Sequence, residues 1–74
     1  MTLTYDQIEF SVLDGKDFAP VEADGTPKVY PTRGEAETVA MSSAPKAHAV
    51  KVRVTRTIYG TIVNVEAIER RKDA

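Results

Sequence analysis

Apolar and polar side chains alternate along residues 6–13, with Ile8, Phe10 and Val12 on one side and Gln7, Glu9 and Ser11 on the other. This is the period of a half-buried strand. Asp14-Gly15-Lys16-Asp17 then has the composition of a tight turn, because an Asp-Gly step tolerates the positive φ that hairpin turns demand. Residues 18–23 predict a return strand, kept short or at an edge by Pro20, which has no amide proton to give a ladder. A second turn, Asp24-Gly25-Thr26-Pro27, precedes a brief extended piece at Lys28, Val29 and Tyr30 that Pro31 ends.

The pattern changes after Pro31. Thr32 stands at a helix N-cap and Glu35 three residues later completes a Thr-x-x-Glu capping box. Ala36, Val39 and Ala40 form a narrow stripe of small side chains that permits close approach to a sheet. Glu35 and Glu37 complement the positive end of the helix dipole. The helix is expected to end by Ser42 or Ser43, since Pro45 disfavours helical geometry at Ala44.

The last third carries the strongest strand signal. Val50, Val52 and Val54 alternate with Lys51, Arg53 and Thr55, and Val63, Val65 and Ala67 alternate with Asn64, Glu66 and Ile68. Thr57-Ile58-Tyr59-Gly60 joins them, with Gly60 free to adopt the left-handed conformation. Setting Val54 opposite Val63 aligns the apolar faces and pairs Lys51 with Glu66. A slip of two residues keeps the apolar face and pairs Arg53 with Glu66 instead. The first register is the preferred expectation.

These elements predict one α+β domain over residues 1–74, an antiparallel sheet of four or five strands with one short helix packed on one face, in the order ββ(β)αββ. Its expected core is Ile8, Phe10, Val12, Phe18, Val29, Ala36, Val39, Ala40, Val50, Val52, Val54, Val63 and Val65. Residues 69–74 are expected to be a frayed charged tail. At 74 residues the chain has little core, and with no cysteine it has no disulfide to reinforce it. A homo-oligomer, formed through an open sheet edge, is therefore a natural expectation. Without an apolar run after Met1 or a stretch long enough to span a bilayer, the expected location is cytoplasmic.

Charge is divided unevenly. Residues 1–45 hold eight acidic and three basic side chains, whereas residues 46–74 hold three acidic and seven basic. Two candidate faces follow. The acidic one, Asp6, Glu9, Asp14, Asp17, Glu22 and Asp24, suits a basic partner protein. The basic one, Lys46, Lys51, Arg53, Arg56, Arg70 and Arg71, suits nucleic acid. The strands carrying the basic residues lack the stacking aromatics of sheets that bind single strands, which makes nucleic acid the weaker expectation.

Candidate chemistry changes this picture little. His48 is the one histidine, with no nucleophile beside it in the sequence, and a zinc site would need further histidine or cysteine ligands. The carboxylates of the two Asp-Gly turns lack the spacing of a calcium loop, and the isolated Gly34 and Gly60 make no phosphate-binding loop. No catalytic, cofactor-binding or metal-binding residue is assigned. The run Asp24–Ala40, with its turn, short strand and capped helix, resembles a pattern in short proteins of bacteria and their phages. The expected function is a non-enzymatic protein-binding module, of the phage-accessory type that inhibits or regulates a larger host macromolecule.

Overall fold

Alternation along the first segment produces a long strand, β1 (Thr4–Asp14), in the computed structural model, which describes residues 3–69. Gly15, at φ 73°, turns the chain into β2, only Asp17–Phe18. The helix α1 (Arg33–Ser43) follows, then β3 (Ala47–Thr57) and β4 (Ile62–Ala67). The sheet order is β2-β1-β3-β4, with every neighbouring pair antiparallel. The fold is thus the expected α+β unit, with four strands and one helix against the sheet among the described residues.

The return segment forms less strand than its sequence suggests. After Ala19 N–H donates to the Val12 carbonyl at 3.1 Å, the chain leaves the sheet. It makes an excursion closed by Glu22 N–H to the Thr26 carbonyl at 2.7 Å and Lys28 N–H to the Pro20 carbonyl at 3.2 Å. It rejoins β1 at Tyr30, which exchanges two backbone hydrogen bonds with Phe10. Pro20 and Pro27 lack the amide donors that a continuous ladder would use.

Thr32 caps α1, its Oγ1 accepting from Glu35 N–H at 3.3 Å. The Glu35 carboxylate accepts from that hydroxyl rather than from the Thr32 amide, so the box is half formed. The helix stops at Ser43, and Ala44 is already extended before Pro45.

The expected single core is two cores, one on each face of the sheet. Val12 pairs with Ala49 and Phe10 with Lys51, so even positions of β1 share a face with odd positions of β3. On that face Val12 packs with Ala36 and Ala40 of α1, flanked by Phe10, Tyr30, Val39, Ala47 and Ala49. Val50, Val52 and Val54 point the other way and pack with Leu13, Phe18, Val29, Ile62, Val65 and Ala67. Small Ala47 and Ala49 let the helix sit close, while the large valines are covered by residues 18–29. Ser11 lies buried on the valine face, its hydroxyl donating to the Lys28 carbonyl at 2.6 Å and holding the excursion down. Ile8 and Val63, expected in the core, are exposed.

The β3–β4 hairpin takes the slipped register, with Arg53 opposite Glu66, Val54 opposite Val65 and Val52 opposite Ala67. The turn explains the slip. Thr57 N–H donates to the Thr61 carbonyl at 2.9 Å across a three-residue loop whose last member, Gly60, has φ 91°. The ladder then shifts between Thr55 and Arg56, where Arg56 faces Ile62, and Val63 is the extra residue.

Candidate interaction surface

The acidic positions do not converge. Asp6 and Asp14 lie at opposite ends of β1 on its helix-facing side, and Asp14 is opposite Asp17. Asp6 accepts from the Thr55 hydroxyl at 2.7 Å. Glu9 lies on the other face. Glu22 and Asp24 belong to the excursion, where Asp24 accepts from Thr26 N–H at 2.9 Å. That backbone hydrogen bond, with a second from the Thr26 side chain, holds the Asp24 carboxyl below its ordinary value.

The basic positions are split as well, and most of their charge is engaged. Lys51 and Arg53 are on the helix-facing side of β3, Lys46 precedes the strand, and Arg56 is on the valine face. Arg53 pairs with Glu66 at 3.0 Å. Arg56 forms a bidentate pair with Glu9 and also donates to the Gln7 side chain at 3.0 Å. Arg70 and Arg71 lie outside the described residues.

A third ion pair ties the helix to the sheet. Both Arg33 guanidinium nitrogens lie 3.0 Å from the Glu69 carboxylate, which also accepts from Lys51 N–H at 2.9 Å. The Arg33 guanidinium lies 5.0 Å from the centre of the Phe10 ring. Of the tail expected over residues 69–74, Glu69 is therefore anchored, and residues 70–74 lie outside the described residues. Its hydrogen bonds from Arg33 and then from Lys51 lower its carboxyl below the usual glutamate value.

Among the described residues, six of the nine exposed large apolar side chains lie toward one end of the sheet, with Tyr5 and Ile8 on opposite faces. The helix and the excursion cover the part of the sheet nearest Val12 and Val50, while its other end carries Leu3, Tyr5, Ile8, Ile58, Tyr59 and Val63 at 62, 41, 53, 57, 89 and 55% exposure. The end has two parts. One is the turn, where Thr57 Oγ1 accepts from Tyr59 N–H and Thr61 N–H, each at 3.3 Å, so Ile58 and Tyr59 are presented by an ordered loop. The other is the outer edge of β1. Phe10 directs its amide and carbonyl away from β3, to Tyr30, and backbone direction alternates along a strand. The amides and carbonyls of Thr4, Asp6 and Ile8 therefore face outward, with no strand beside them in the sheet among the described residues.

The hollows are shallow by comparison. One of about 390 Å³ lies between α1 and the start of β3, lined by Glu37, Ala40, Met41, Ala47, His48 and Ala49. His48 Nδ1 lies 3.3 Å from the Lys46 carbonyl and its buried Nε2 has no hydrogen-bond partner. Among the described residues no three His, Asp or Glu side chains converge as metal ligands would, and no helix is long and apolar enough to cross a membrane.

Compared with known protein families, curated proteins and solved structures, the chain matches none. The surface is thus read from its own geometry. Sequence patterning assigns Ile8 and Val63 to the core and Tyr59 to a plain loop. One signal for the apolar end is present all the same, since Ile58-Tyr59 puts two large apolar residues where turns normally carry small polar ones.

Proposed function

We propose that this protein is a non-enzymatic, cytoplasmic protein-binding module that meets its partner with the β3–β4 turn. It would act as a phage-type accessory factor that inhibits or regulates a larger host macromolecule. The observation that carries this reading is the exposure of Ile58 and Tyr59 on a turn held by five hydrogen bonds. Tyrosine on a rigid support offers a large contact area at small entropic cost, which is the usual chemistry of a binding hot spot. The dispersed carboxylates steer a basic partner toward the molecule rather than forming the contact themselves.

Nucleic acid has less support, because Arg53 and Arg56 already hold Glu66 and Glu9. A photo-crosslinking residue at Tyr59, compared with one at Lys46, tests the proposal in host lysate. Adducts with a single protein from position 59, lost on Ile58→Ser, are expected. Adducts from position 46 alone would overturn it. So would nucleic-acid binding with a steep salt dependence that Lys51→Ala with Arg53→Ala abolishes.

A further inference from the structure

We infer that the outer edge of β1 is a self-association site, at which a second copy of this chain adds its own β1 in antiparallel fashion to give a two-fold symmetric dimer with a continuous sheet. The edge lies on the side of β1 away from β3, and it adjoins the turn that carries Ile58 and Tyr59 at Leu3, whose carbonyl accepts from Ile58 N–H at 3.3 Å.

The chemistry of the edge selects its occupant. Thr4, Asp6 and Ile8 offer outward amides and carbonyls in the alternation that only another extended strand can satisfy. Natural edges are blunted by charged side chains, proline, bulges or covering segments, and of these the open half of β1, Thr-Tyr-Asp-Gln-Ile, has only the charge of Asp6, which already accepts from the Thr55 hydroxyl. The other long edge, β4, is bulged at its start. Of the exposed side chains flanking the open half, Leu3 and Tyr5 are those an added strand would cover.

Self-pairing about a two-fold axis restricts the register. An axis through Asp6 sets Asp6 against its own copy, a like-charge pair directly across the strands. An axis through Gln7 sets Thr4 against the partner's Phe10, whose outward groups are already bonded to Tyr30. An axis through Tyr5 avoids both. It places the two Tyr5 residues at a close, non-hydrogen-bonded position and each Asp6 opposite the partner's Thr4, so that charge meets a hydroxyl. Asp6 accepts from Thr55 through Oδ1, leaving Oδ2 for that hydroxyl.

The chain contains no cysteine, so single substitutions read the register directly. In a non-hydrogen-bonded antiparallel pair the Cα atoms are about 4.5 Å apart, within the span of a disulfide. Under mild oxidation Tyr5→Cys should give a covalent dimer, while Gln7→Cys and Ile8→Cys should stay monomeric. Unmodified protein should approach twice its 8.1 kDa mass as concentration rises in sedimentation equilibrium. Asp6→Pro should keep the circular dichroism spectrum and stay monomeric, because the amide it removes faces outward and takes no part in the β1–β3 ladder. Tyr5→Lys, which brings like charges together at the axis, is the second such variant should the proline prevent folding. A wild-type mass that stays monomeric throughout, cross-linking at Gln7 and not at Tyr5, or a dimer unaffected by a folded edge variant would overturn the inference.

Discussion

Glu9 of β1 and Arg56 of β3 are locked together on the valine face of the sheet, with side chains only 14 and 16% exposed. By charge alone each belongs to a separate candidate surface, one acidic and one basic, yet each spends its charge on the other. Their pair sits between the open surface and the interior, so removal of either partner should cost roughly 1 to 3 kcal/mol, between the values for exposed and buried pairs. Denaturant unfolding of Glu9→Ala, Arg56→Ala and the double variant checks this. The double variant is expected to lose clearly less than the sum of the two single losses.

Glu69 should make stability depend on pH through its contacts to Arg33 and Lys51. Its folded-state value is depressed below 4.5, so its contribution is present above the unfolded value and is lost as pH falls through the folded one. The difference in unfolding free energy between wild type and Glu69→Gln should be steady near neutrality and shrink on acidification below about pH 4.5. Arg33 stays charged throughout that range, its hydrogen bond to Glu69 raising it further.

The two faces respond to different substitutions. Val52→Ala opens space in the valine core and should cost about 2 kcal/mol from lost burial and incomplete collapse. Ala36→Leu should cost about 1 to 3 kcal/mol for the opposite reason, since Ala36 is fully buried where the helix meets β1 and β3. Thermal or denaturant unfolding measures both losses.

At the turn, binding and stability should separate. Tyr59→Ser removes a side chain that is 89% exposed and should change unfolding free energy by less than about 0.5 kcal/mol. Gly60→Ala should cost about 1 kcal/mol, because φ 91° is strained for any residue with a Cβ. Equilibrium unfolding of the two variants side by side checks the contrast.

Alternation, capping and turn chemistry make much of this fold legible in the sequence. The strand through Ile8, Phe10 and Val12, the helix start at Thr32 and the β3–β4 hairpin all follow from local patterns. What alternation leaves open is which face of one strand adjoins which face of the next. Phe10 and Val12 look like partners of Val50, Val52 and Val54, yet the pairing of Val12 with Ala49 sends them to opposite sides. The stretch Ala47–Val50 does contain the clue, since apolar residues on both parities mark a strand covered on both faces. The hairpin register depended on Gly60, whose conformation sets the loop length. The apolar end was hidden for a related reason: Ile8 obeys the core periodicity, but α1 is too short to reach it.

Residue-resolved amide exchange along β1, on protein diluted until its mass is monomeric, tests most directly the claim that half of this strand is an open edge. Gln7 and Glu9 amides, directed at Val54 and Val52, should exchange slowly, those of Thr4, Asp6 and Ile8 should exchange fast, and Phe10 should be protected by Tyr30. Slow exchange at Asp6 and Ile8 in the monomer, or fast exchange at Gln7 and Glu9, would contradict it.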